Sequence, residues 1–114
     1  MQNLAPMFRK RIVEPYLTRY SYDPKLQAAP IETVSHPGQE FDYILSGVLR
    51  AQIGEHTETL RPGDSIFFDS STPHGLIAAE GQDCVFLAVV IPGEETEYNP
   101  HVHEAAAPAP VQAA

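Results

Sequence analysis

Strict alternation of apolar and polar residues marks the middle of the chain. Leu49, Ala51 and Ile53 are apolar against Arg50 and Gln52, the two-residue period of a half-buried strand. Just upstream the pattern is ambiguous. Phe41, Ile44, Leu45 and Val48 fall at i, i+3, i+4 and i+7, which is helical spacing, and His36 and Glu40 would share a face of that helix. Three features oppose a helix. Pro37-Gly38 stands where its first turn would form, Gly47 interrupts its middle, and the period changes to two after Val48. Phe41 to Ile53 therefore reads as two strands around a bend at Gly47.

Short β-type runs continue on both sides. Arg11-Ile12-Val13 and Tyr16-Leu17-Thr18 read as extended pieces around Pro15, which cannot sit in a central ladder. Tyr20 and Tyr22 share one face of an alternating stretch, Asp23-Pro24 marks a turn, and Ile31 to Val34 is a strand candidate. Gly54-Glu55-His56 reads as a hairpin loop returning through Thr57 to Leu60, and Pro62-Gly63 as a turn. Ser65 to Phe68 is a strand, Asp69 to Pro73 a polar loop, and His74 to Ala79 extended again. Cys84 to Ile91 is a continuous apolar run, by pattern the most buried strand. The expected fold is all-β, an antiparallel double-sheet β-barrel. Residues 1–10 are expected as a flexible arm, 11–98 as the barrel, and 99–114, rich in Ala and Pro, as a disordered tail.

Composition narrows the function. A chain of 114 residues suits one domain, and 43% hydrophobic residues suffice for a core. Lys and Arg number 7 against 15 Asp and Glu, a formal charge of -8. That balance repels phosphate backbones and argues against a nucleic-acid partner. No run is long enough to span a bilayer. Phe8 is followed at once by Arg9-Lys10-Arg11, which leaves no signal-peptide core, so a cytoplasmic location is expected. The single cysteine, Cys84, excludes an intramolecular disulfide and reads as a small buried hydrophobe.

The candidate chemistry lies between Val34 and Ala78. His36, Glu40 and His74 are two imidazoles and a carboxylate. That donor set, with open positions, suits a divalent transition metal such as Fe, Zn, Mn or Ni. Strand parity puts Glu40 on one face with Asp42 and Ile44, and His74 with Leu76 and Ala78. Asp42 is the candidate for a catalytic acid or for a partner that orients an imidazole. His56 is expected in solvent. His101-Val102-His103 copies a ligand spacing but falls in the expected tail. Tyr20 and Tyr22 read as core or dimer-packing residues, and Arg50 is the nearest cation to the site. No Gly-rich phosphate loop and no Ser-His-Asp signature is present.

The order and spacing of these residues resemble the cupin superfamily. Its first motif runs His-x-His, then Glu, then Gly; here Val34-Ser35-His36, Glu40 and Gly47 stand at that spacing. Its second motif runs from a Gly to a His, with Asn four positions on; here Gly63 and His74 fit, and Ala78 stands where Asn is common. The resemblance covers roughly residues 30 to 92. It is closest to the effector-binding cupin domains of helix-turn-helix regulators and to the mononuclear-iron epoxidase of fosfomycin synthesis. Val34 replaces the first histidine, so three family ligands remain, as in that epoxidase. The resemblance implies a barrel of two packed sheets, often dimeric through strand exchange. Residues 1 to 30 show no helix-turn-helix. The expected function is a metal-containing module that binds or senses a small molecule, as a homodimer in which the Arg11 to Tyr22 stretch covers a partner's sheet edge. The alternative is a mononuclear metal enzyme, an oxygenase, isomerase or lyase.

Overall fold

The computed structural model describes residues 2–3, 13–93 and 112–113. Among them, nine strands and one short helix follow in chain order: β1 (Gln2–Asn3), β2 (Glu14–Tyr20), α1 (Pro24–Gln27), β3 (Gly38–Ser46), β4 (Val48–Ile53), β5 (His56–Leu60), β6 (Ser65–Asp69), β7 (His74–Ala79), β8 (Cys84–Pro92) and β9 (Gln112–Ala113). They make two antiparallel sheets, a six-stranded one in the order β1-β2-β8-β3-β6-β9 and a three-stranded one in the order β5-β4-β7. The sheets pack face to face around one apolar cluster that includes Ile44, Leu49, Ile53, Leu60, Ile66, Phe68 and Phe86. Burying each such side chain stabilises the fold by about 1.5–3 kcal/mol.

The chain changes sheets at Gly47. Its φ of +78° is left-handed, and a Cβ there would lie 2.1 Å from the Asp83 carbonyl oxygen. Glycine is required on both counts, and the bend expected between the two strands is the corner of the fold. Strand pairing, not the helical spacing, governs Phe41 to Val48: Tyr43 and Leu45 point outward while Asp42 and Ile44 are fully buried. The hairpin from β4 to β5 closes through Gly54-Glu55, with Ile53 opposite His56.

Four expectations change. Pro15 lies inside β2, opposite Val89. The ladder tolerates it because β1 pairs only with Tyr16 and Leu17, so the side of Pro15 away from β8 has no described strand partner. Ile31 to Val34 is no strand but a crossing segment with one bridge, Val34 to His74. Asp23-Pro24 opens a helical turn: the Asp23 side chain accepts from Lys25 N at 2.9 Å, capping α1. The apolar run of β8 is central but buried on one face only. Cys84, Phe86 and Ala88 are interior, whereas Val85, Leu87 and Val89 are half-buried on the outer face. β4 is the more buried strand by its pattern. Most of residues 1–10 and 99–114, and His101 and His103, lie outside the described residues; Gln112–Ala113 pairs with Ile66 and Phe67.

Candidate functional site

The site forms where the ends of β3 and β7 meet the 31–37 crossing. Val34 and His74 exchange two backbone hydrogen bonds, each 2.9 Å, which pins the crossing against β7. Gly75 makes this approach feasible, since a Cβ there would sit 2.2 Å from the Glu32 carbonyl oxygen. His36 is anchored by its backbone N donating to Ser70 O at 2.9 Å, and Ser70 N donates to Gly38 O at 2.9 Å. The polar loop before His74 is shaped by Asp69, whose Oδ1 accepts from Ser71 N at 2.9 Å and Ser71 Oγ at 2.6 Å. Glu40 stands on β3 opposite Phe68.

These elements bring His36, Glu40 and His74 to the lining of one cavity of about 240 Å³. The two imidazole centroids are 5.0 Å apart with the rings at 77°. Phe68 packs on His74 at 4.9 Å, and His74 is 6% exposed while His36 lies at the surface. His74 Nδ1 is 2.9 Å from Thr72 O, and His36 Nδ1 is 3.2 Å from Pro37 O. A carbonyl oxygen only accepts, so each Nδ1 carries a proton, and in the neutral ring Nε2 keeps the lone pair. That tautomer suits a metal-binding imidazole. The partners that orient the rings are thus backbone carbonyls and not Asp42. Val34, 64% exposed, lines the cavity and offers only methyl groups.

The profile of the cupin domain family matches residues 20–90. The chain belongs to the cupin family. Solved structures agree on the fold. The cupin domain of an XRE-family transcriptional regulator from Enterobacter cloacae aligns with 78% of this chain and 90% of that one, at 16% identity and TM-score 0.64. An HTH_3-family transcriptional regulator from Vibrio cholerae aligns with 78% of this chain and 48% of its own, at 22% identity and TM-score 0.61. The FeII form of HppE in complex with substrate aligns with 70% of this chain and 45% of its own, at 25% identity and TM-score 0.57. The chain thus spans under half of the latter two proteins. No curated protein matches the sequence.

Behind the cupin's histidines lies an acid pair. Asp42 is fully buried, and burial first, then the charge of Glu40 and a hydrogen bond to it, push its carboxyl well above the ordinary range. With both groups ionised neither Asp42 oxygen has a donor among its neighbours; the Asp42–Glu40 contact becomes a hydrogen bond only when a proton is shared. Glu40 is therefore turned toward Asp42, and among the described residues no three His, Cys, Asp or Glu side chains close on one point. Asp42 also raises the Cys84 thiol, which burial, the larger cause, helps push up to about 11. Cys84 is inert, as a small hydrophobe.

Two residues of the wall were not expected there. Tyr20 packs edge-on against Phe86 at 5.2 Å and lines the cavity as well as the core. Its phenol is held protonated by burial first and then by the charges of Glu40 and Asp42. Thr18, two residues away on the same face of β2, also lines the cavity. The period-two alternation around Tyr20 was the available signal, but it does not say which face meets a cavity. Arg50 does not reach the site. It pairs with Ile77 on the outer face and donates to Gln27 Oε1 at 3.2 Å. His56 is exposed and bonds Glu58.

Proposed function

We propose that this cupin is a metal-containing module that binds or senses a small molecule, with His36, Glu40 and His74 holding one divalent transition metal. The observation that carries the reading is the shared cavity, lined by both imidazoles, each with its Nδ1 bonded to a backbone carbonyl, which leaves Nε2 as the atom for a metal. Glu40, already in the lining, supplies the carboxylate once it leaves Asp42. Bound there, an Fe, Zn, Mn or Ni ion supplies Lewis acidity and open coordination positions. The chain itself orients the ligands through Thr72 O and Pro37 O, and shields His74 with Phe68. The test is elemental analysis of the reconstituted protein and of His36→Ala, Glu40→Ala and His74→Ala. Each substitution is expected to lower metal content, whereas His56→Ala leaves it unchanged. Equal content in all of them removes the reading.

A second reading, a mononuclear metal enzyme, is favoured by the buried acid Asp42 beside Glu40. Oxygen consumption that requires the loaded metal and falls in Asp42→Asn supports it over the binding module. We further propose a homodimer, in a cytoplasmic location. The stretch expected to reach a partner is, from Glu14 to Tyr20, bonded to β8 of its own chain. The better surface is the outer face of the six-stranded sheet, where Phe41, Tyr43, Leu45, Val85, Leu87 and Val89 are half-buried or exposed. Sedimentation checks it: Leu87→Glu is expected to turn a dimer into a monomer.

A further inference from the structure

The cavity described above holds polar groups that neither the fold nor a metal would use. Thr18 is 2% exposed, its side chain faces the cavity, and its Oγ1 has no hydrogen-bond partner. An orphaned buried hydroxyl costs stability, so its persistence points to a partner that arrives with a ligand. Tyr20, next on the same face, adds a second hydroxyl-bearing side chain to the lining, beside the aromatic ring of Phe86. The lining includes the carboxylate residues Glu32 and Glu40, with Asp42 behind, and no Lys or Arg among the described residues. An anionic group entering beside these walls would meet carboxylates, with the imidazoles of His36 and His74 as the lining's only groups able to take up a positive charge. An ammonium has three donors and no acceptor. It matches carboxylate oxygens, hydroxyl lone pairs and aromatic faces together. The volume of about 240 Å³ lies near the lower end of the range for small-molecule sites.

We propose that the ligand of this cavity is a small primary amine, and that Thr18 and Tyr20 on β2 are its specificity residues, holding the ammonium end by hydrogen bonds. This rests on reading the cavity as a small-molecule site, but not on any particular metal.

The experiment titrates the chelator-stripped full chain with aminobutanol, butanediol and hydroxybutanoate, matched in chain length, with binding read by heteronuclear NMR. Stripping matters because a metal would attract the hydroxy acid by itself. Aminobutanol is expected to bind about tenfold more tightly than butanediol, as hydrogen bonds to a charged group do, and hydroxybutanoate no better than the diol. Thr18→Val and Tyr20→Phe keep the side-chain volume nearly constant. Each is expected to weaken aminobutanol several-fold, and Thr18→Val without lowering the unfolding midpoint. Should one variant fail to fold, the other carries the test. Equal affinity for amine and diol, tightest binding of the hydroxy acid, or unchanged amine affinity in the folded variants overturns the proposal. Zinc uptake is measured on the same samples. Amine preference without zinc binding removes the metal reading and keeps this one; zinc binding without amine preference does the reverse.

Discussion

The two sheets that face each other across the core are built on different terms. On the inner face of the three-stranded sheet, β4 and β7 are mostly hydrocarbon: Leu49, Ala51 and Ile53 on β4, Leu76 and Ala78 on β7, with His74 at its end, while β5 carries Leu60 and, toward its start, Glu58 and His56. The inner face of the six-stranded sheet carries Thr18, Tyr20, Glu40 and Asp42 among its apolar residues. Among the described residues, the buried side-chain atoms without a partner belong to Thr18, Asp42, Ser70 and Thr72. None of these lies on the three-stranded sheet. Ser70 and Thr72 sit in the loop that presents His74. One sheet supplies packing, and the other stores polar groups whose cost stability does not explain. Local conflicts of this kind mark functional sites.

The largest expected effect tests the packing side. Leu49→Ala should cost about 2–5 kcal/mol by chemical denaturation, the usual range for a truncated core leucine, while zinc uptake at saturating metal stays unchanged. Gly75→Ala comes next. Its Cβ would collide with the Glu32 carbonyl oxygen, and forcing the crossing segment away should cost about 1–3 kcal/mol. Because Val34 and His36 ride on that segment, metal affinity should fall with stability. A loss of stability alone would separate the crossing from the site.

Asp42→Asn should go the other way, and this is the sharpest contrast between equally buried positions on the two sheets. Removing one uncompensated carboxylate should stabilise the metal-stripped protein at neutral pH by about 1–3 kcal/mol, the penalty of an unpaired buried polar group. The sign follows from the raised pKa. The folded chain holds the Asp42 proton to higher pH than the unfolded one, whose carboxyl titrates near 3.8. Wild-type stability therefore falls as pH rises from that value to the raised folded one, then levels off. The variant should lack this fall and match the wild type in acid. Destabilisation at neutral pH would make Asp42 a structural group after all. The smallest effect belongs to Asp83, whose Oδ1 accepts from Tyr22 N at 2.8 Å and whose Oδ2 pairs with Arg19 at 3.1 Å. Its pKa is lowered, by the backbone bond first. Its contribution exists above the ordinary carboxylate range and disappears as pH falls through the lowered value, so Asp83→Asn should cost a little at neutral pH and nothing in strong acid.

Local order was legible before any coordinates. The alternation of Leu49, Ala51 and Ile53 specifies β4, because a strand's side chains must alternate wherever one face is buried. Pro37-Gly38 and Gly47 remove the helical alternative by backbone chemistry alone. The spacing of His36, Glu40 and His74 names three residues that line one cavity. What followed from tertiary structure alone was which atoms meet. The run from Cys84 to Ile91 is uniformly apolar, so its pattern could not say that Phe86 faces the core while Leu87 faces outward. That depends on pairing with β2 and β3, distant in sequence. Likewise, Thr18 lies in the cavity because its register sets it opposite Phe86. The imidazoles are oriented by the carbonyls of Pro37 and Thr72, and every residue has a carbonyl. No residue type marks such a partner; only the path of the folded backbone decides where its oxygen points.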